Sequence, residues 1–312
     1  MHIPDNFLSP PVWATLDIVA APAVAVVSRR AQKTADTTRL PLLGVLGAFV
    51  FAAQMVNFPV GVGTSGHLVG GTLLACIVGP WAAALVMTSI LLIQALVFQD
   101  GGVLALGANI LNMALLGVVA GYIPAKLLAR TKGANFGVFA GGTISVLVSG
   151  GLALTELLVS GIHMSAAMIE LSVLVFAANA IIEGAITVSA LRAIERLKPG
   201  VSVLGDILER SRKPKRRLLP ATAVIGAVAA LVAIVGVALG SSLPDGLEHL
   251  AKHFGVPLSQ TLFRSPLGGY YVRDLGTGWF SRASAGLIGL LGIYLICALG
   301  GQLLKRTRRS FS

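Results

Sequence analysis

The sequence predicts an all-α, polytopic transmembrane helical bundle of about nine spans with its N-terminus outside, and three observations carry that expectation. Hydrophobic residues make up 55% of the 312-residue chain and charged residues only 12%, about half the ~25% usual in soluble domains. The apolar residues fall into runs near the ~20 residues that a spanning helix needs. The basic residues lie in blocks between those runs. The net charge of +11 is therefore a record of topology, and no nucleic-acid partner is expected; membrane lipid is.

The apolar runs predict helices over residues 11–28, 40–58, 104–125, 134–159, 166–191, 219–240 and 284–304. The stretch 68–98 is also apolar but is broken at Gly79-Pro80. It reads as two short or tilted helices, or as a re-entrant piece packed inside the bundle.

Charge then orients the helices. Arg29, Arg30, Lys33 and Arg39, then Lys126, Arg130 and Lys132, nine residues between Arg192 and Arg217, and Lys305, Arg306, Arg308 and Arg309 place 20 of the 24 Lys and Arg on one face. That face reads as cytoplasmic in a multi-pass protein of the inner (plasma) membrane. The N-terminus, residues 59–67, the turn at Gln99-Asp100-Gly101-Gly102 and residues 241–283 then lie outside. A cleaved signal peptide fits the first 28 residues poorly, because Asp5 and Asp17 stand where a positive n-region belongs. Cys76 and Cys297 fall within predicted spans and read as small apolar side chains rather than a disulfide.

The outward segments hold the chemistry. The α-amine of Met1, the backbone nitrogen of His2 and its ring Nδ1 can close a five-membered and a six-membered chelate ring around one ion. Three nitrogens in a plane suit Ni(II) or Cu(II). A bulky second residue such as His2 also blocks removal of the initiator methionine. Residues 59–67 read PVGVGTSGH, so His67 ends a glycine-rich outward loop. The first ten residues can reach ~30 Å when extended, which allows Met1 to fold back to His67 and complete a four-nitrogen plane. Taken singly, a histidine after a start codon and a loop histidine are unremarkable; together on one face of a membrane protein they define a metal site.

The opening MHIPDNFLSP, the segment GTSGHLVGGT at 63–72 and the stretch FQDGGVLALGANILNM at 98–113 resemble the CbiM/NikM family, the substrate-binding S components of energy-coupling-factor transporters for cobalt and nickel. The match covers residues 1–200. A second resemblance covers residues 219–312, where Pro244-Asp245-Gly246-Leu247-Glu248 and Ser265-Pro266-Leu267 look like the small PDGLE partner of the CbiN/NikN type, fused here behind a basic linker at 201–218. The resemblance implies a metal held by Met1, His2 and His67, with no catalytic cofactor and no enzymatic activity. It also implies a transmembrane coupling T component and two cytoplasmic ABC ATPases as partners. This chain has Asn6 where the family commonly has glycine; asparagine is well suited to the same left-handed turn.

Gln54, Asn57, Gln94, Asn109, Asn112, Asn179, Glu156 and Glu183 fall within or beside spans and must face the bundle interior. Asn109 and Asn112 are three apart on one helix face, and with Asp5 they are expected to support the N-terminal loop; interhelical hydrogen bonding with no link to substrate is the equal alternative. His249 and His253, four apart near Asp245 and Glu248, could gather ions but read first as the solvated face of a short amphipathic helix, and His163 carries no role. There is no G-x-x-x-x-G-K-[ST] phosphate loop and no H-E-x-x-H pair. The sequence therefore reads as a capture subunit for Ni(II), with Co(II) as the alternative substrate. A metal-responsive channel or sensor without ATPases is the rival, and an intramembrane enzyme built on Glu156 and Glu183 lacks any paired motif.

Overall fold

Helices account for nearly all regular structure in the computed structural model, which describes residues 2–34, 40–61, 64–205, 220–236, 238, 245, 247 and 263–309. In chain order they are α1 (Pro10–Thr34), α2 (Leu40–Gln54), α3 (Gly71–Val78), α4 (Pro80–Ile93), α5 (Leu106–Asn109), α6 (Gly117–Leu128), α7 (Ala134–Val159), α8 (Ala166–Leu197), α9 (Ala221–Leu231) and α10 (Trp279–Arg309). Three π-helical segments continue helices: Gln94–Phe98 extends α4, Ile110–Leu116 joins α5 to α6, and Val232–Gly236 extends α9. A two-stranded antiparallel hairpin, β1 (Phe58–Gly61) and β2 (Thr64–Gly66), stands between α2 and α3.

Six of these helical stretches are long and apolar enough to cross a membrane: Pro10–Thr34, Pro80–Phe98, Leu106–Leu128, Ala134–Val159, Ala166–Leu197 and Trp279–Gly300. Two shorter apolar helices, Pro41–Gln54 and Ala221–Gly236, accompany them. Their outer faces carry unpaired aliphatic side chains such as Ile18, Leu127 and Leu174, all well exposed, as lipid contact requires. The expected start of the last helix at residue 284 is corrected to Trp279, and the expected end of α2 at 58 to Gln54, because Phe58 already pairs in the hairpin.

The break in the 68–98 stretch falls at Gly79, which has φ 86°, with Pro80 opening α4. Proline at the first helical position costs no hydrogen bond. The eight-residue α3 spans only ~12 Å at 1.5 Å per residue, too short to cross a bilayer. Every one of its residues from Gly71 to Ile77 is buried, so it lies inside the bundle. Its last turn is closed by the segment that follows α8: Val203 N–H and the Ser202 hydroxyl both donate to the Cys76 carbonyl, at 3.0 and 2.8 Å. Cys76 and Cys297 are both free, buried thiols.

Close helix approach depends on small residues. A Cβ added to Gly141 on α7 would lie 2.3 Å from the carbonyl oxygen of Gly121 on α6, so the two backbones meet where no side chain intervenes. Thr72 of α3 donates to the Gly141 carbonyl at 3.3 Å, pinning the short helix against this seam.

Candidate metal centre

The N-terminal segment folds back into the protein rather than trailing from it. His2 and Ile3 are 4% and 0% exposed, and Phe7 is 2% exposed. Asn109, on α5, holds the backbone of Ile3 with both ends of its amide: Ile3 N–H donates to Oδ1 at 2.8 Å, and Nδ2 donates to the Ile3 carbonyl at 3.1 Å. That carbonyl also accepts from Gly102 N–H at 2.8 Å. Asp5 adds a further tie by accepting from Leu104 N–H at 2.9 Å. A Cβ on Gly102 would lie 2.5 Å from the Asp5 nitrogen, so only glycine lets the two segments run this close. Asn6 adopts φ 70°, the left-handed turn expected of it.

Asn112 takes no part in this clamp. Its Nδ2 donates instead to Glu156 on α7 at 2.8 Å, and its carbonyl accepts from Ser149 at 2.8 Å. The expectation that Asn109 and Asn112 share a face assumes an α-helical step. The chain switches to π-helical bonding at Ile110, and in that wider turn three residues fall short of a full rotation.

His67 is brought to the same place from the other side. It follows β2 directly, is 4% exposed, and its Nδ1 lies 2.9 Å from the Leu68 carbonyl. A carbonyl can only accept, so Nδ1 carries the proton and the ring lone pair sits on Nε2. Three side chains from distant helices fix the backbone here. Asn179 of α8 donates to the His67 carbonyl at 3.4 Å, and Gln54 of α2 donates to the Val69 carbonyl at 2.7 Å. Glu183 of α8 accepts from Val69 N–H at 2.7 Å and Gly70 N–H at 2.9 Å. Gly70 itself has φ 77°, and a Cβ there would lie 2.6 Å from Val50.

The two imidazoles meet face to face, with ring centroids 5.2 Å apart and planes 5° from parallel. His2 Nδ1 lies 3.3 Å from Asp100 Oδ1, an ion-pair contact, yet neither ring nitrogen of this buried histidine has a well-directed hydrogen bond. Buried nitrogens normally find partners; here the His2 ring nitrogens stand beside the Asp100 carboxylate and a second imidazole. Burial first, and then neighbouring positive charge including that of His2, push the His67 imidazole down to about 3, against the opposite pull of Asp245 and the Leu68 carbonyl. His67 is thus neutral at physiological pH, the form a metal ligand needs. Burial alone would raise the Asp100 carboxyl, but interaction with His2 and the hydrogen bond from Tyr270 hold it below the usual carboxylate range.

Among the described residues no group of three or more His, Cys, Asp or Glu side chains is placed to hold a metal. Met1, His249, His253 and Glu248 lie outside the described residues, and His163 is exposed on the turn before α8. Asp245 forms a parallel bridge to Ser65, in the strand that leads to His67. Asp100 and Tyr270 carry no local sequence signal of a shared role. Asp100 stood in the quoted 98–113 motif, but nothing in the sequence pairs it with a tyrosine 170 positions away.

Comparison with known proteins agrees with this architecture. The family model CbiM, described as a cobalt uptake substrate-specific transmembrane region, matches residues 2–201. A protein of Archaeoglobus fulgidus that bears the name of a fused nickel transport protein, NikMN, is 31% identical over 310 residues, covering 99% of both chains. A Lactiplantibacillus plantarum protein named as a fused nickel transport protein, LarMN, is 44% identical over 156 residues, and that match spans about half of each protein, 48%. A crystal structure described as a transition metal transporter superposes with a TM-score of 0.55 at 32% identity, covering 63% of this chain and 93% of the other. With the family model spanning most of the chain and a relative matched end to end, this protein belongs to the CbiM/NikM family of nickel and cobalt transport membrane proteins, in the fused form that carries a NikN-type C-terminal unit.

Proposed function

We propose that the chain is the substrate-binding subunit of an energy-coupling-factor importer that captures Ni(II) at an outward-facing site made by its own N-terminus. The ligands are the Met1 amine, the His2 backbone nitrogen, His2 Nδ1 and His67 Nε2. The observation that carries the reading is the buried His2–His67 pair: parallel rings 5.2 Å apart, with the His2 nitrogens lacking hydrogen bonds and the His67 proton fixed on Nδ1 by Leu68. Four in-plane nitrogens, one of them an amidate, match the square-planar preference of Ni(II). The amidate leaves the ion with one net positive charge, which eases its burial.

The distribution of Lys and Arg supports an outward N-terminus in the plasma membrane. The sequence has no phosphate-binding loop of its own, and the family resemblance implies two ATPase partners that act through a transmembrane coupling subunit. Cobalt is the second reading, favoured by the family model's description; octahedral or tetrahedral Co(II) fits a planar site less well.

Adding two residues before Met1 tests the reading. The extended protein is expected to fold but to lose high-affinity nickel binding, because the terminal amine and its chelate ring are gone. Unchanged affinity in the extended protein would rule the chelate out.

A further inference from the structure

Tyr270 reaches the metal centre from the C-terminal unit. It closes a 3-10 turn, Gly268–Tyr270, with φ 62°, a left-handed conformation that a bulky residue adopts only when its surroundings hold it there. Its ring stacks on Phe98 at 4.7 Å and tilts against Phe51 at 6.3 Å. The segment is moored to the end of α4: Ser265 donates through Oγ to the Val97 carbonyl and through N–H to Gln99 Oε1, and Gln99 Nε2 donates to the Phe263 carbonyl. The Tyr270 hydroxyl donates to Asp100 Oδ2 at 2.6 Å and receives Gln94 Nε2 at 3.4 Å. The other carboxylate oxygen, Asp100 Oδ1, faces His2 Nδ1 at 3.3 Å. One carboxylate is therefore oriented by the C-terminal unit on one side and presented to a candidate metal ligand on the other.

An ion held on His2 Nδ1 would lie beside Asp100 Oδ1. The chelate proposed above leaves Ni(II) with one net positive charge, and a single carboxylate at that position brings the site to neutrality. Charge is costly in a poorly solvated site unless matched by a close, fixed opposite charge. A lone carboxylate turns freely about its last torsion; the short hydroxyl bond removes that freedom.

Resting on the reading of the metal centre given above, we infer that Asp100 is the counter-charge of the bound metal and that Tyr270 is its positioning residue, so that the C-terminal unit sets metal affinity through one hydroxyl. Y270F keeps the ring and its stacking on Phe98 and Phe51 while deleting the hydroxyl, which separates positioning from packing. D100N removes the charge but leaves all four proposed nitrogens.

The experiment measures the nickel dissociation constant of the untagged full-length protein in detergent, by competition with a chelating dye, for the wild type, Y270F, D100N and the double variant. D100N is expected to weaken binding by ~10–100-fold, the range for groups that act on a metal's ligands, and Y270F by a smaller factor of roughly 10. In the D100N background Y270F is expected to add nothing, because its effect passes through the carboxylate. The visible absorption band of bound nickel is expected to stay in place in both single variants, since the in-plane donors are unchanged. Wild-type affinity in Y270F, or losses that add in the double variant, would overturn the inference. If D100N does not fold, the dissociation constant of Y270F alone decides it. A wild-type protein that binds no nickel, or a two-residue extension that binds it normally, sinks the chelate reading itself and is recognised separately.

Discussion

Asn109 and Ile3 are joined by a reciprocal pair of hydrogen bonds, the Ile3 N–H to Oδ1 at 2.8 Å and Nδ2 to the Ile3 carbonyl at 3.1 Å, both buried. The side chain thus substitutes for a strand partner and fixes the backbone one residue beyond His2. Asn109→Ala leaves the buried Ile3 N–H without its partner, at a cost of ~1–3 kcal/mol, while the Ile3 carbonyl keeps its bond from Gly102. Nickel affinity is expected to fall ~10–100-fold, and Asn109→Asp, which can accept but not donate, to fall between alanine and wild type. A chelator-competition titration checks the order, and an Asn109→Ala protein with wild-type affinity would show that the clamp does not position His2.

Glu183 carries the loop after His67. Its two oxygens accept from consecutive N–H groups, those of Val69 and Gly70, a task for which an amide is unsuited. Glu183→Gln turns an NH2 group toward a backbone donor, costing ~1–3 kcal/mol, and is expected to lower both the thermal midpoint and metal affinity. Glu183→Asp keeps two acceptors but shortens the reach. If Glu183→Gln binds nickel normally while melting earlier, the residue serves stability alone.

Gly70 has no room and no conformational alternative. At φ 77°, with Val50 2.6 Å from any added Cβ, Gly70→Ala combines left-handed strain of ~1–2 kcal/mol with a steric collision. The expected result is a destabilised protein with weakened nickel binding. Gly70→Ala combined with Val50→Ala relieves the collision but not the strain, so it should recover only part of the loss in a thermal melt.

The depressed His67 imidazole makes the fold acid-sensitive. Its value is about 3 in the folded protein against ~6.5 for an unfolded chain. On acidification the unfolded state therefore takes up a proton that the folded state refuses. Stability from this residue is complete above ~6.5 and is lost progressively as pH falls toward 3. His67→Asn should flatten the drop in melting temperature between pH 7 and pH 5. A variant whose acid sensitivity matches the wild type would place the loss on other groups.

Much of this architecture was legible because its signals are local. The run 134–159 coincides with α7, and Gly79-Pro80 marked the break between α3 and α4. The length of apolar runs and the backbone limits of glycine and proline suffice for such features. The centre was legible in part: the opening Met-His and the glycine-rich loop single out His2 and His67 by donor chemistry, and both are buried face to face. Contacts across long sequence separations were not. Glu183 lies 114 positions from Val69, and Tyr270 lies 170 from Asp100; no periodicity encodes such pairings. Asn112 follows the interhelical alternative, bonding Glu156, because a π-helical segment rotates it away from Asn109, and one inserted residue in the hydrogen-bond ladder leaves no mark in composition.

The most direct test of the central claim is the absorption and magnetic signature of nickel bound to the untagged protein, measured with the bound-metal stoichiometry. One diamagnetic, square-planar Ni(II) per chain is expected, with a signature that disappears when two residues precede Met1. A paramagnetic octahedral ion, or a planar signal that survives the extension, would contradict it.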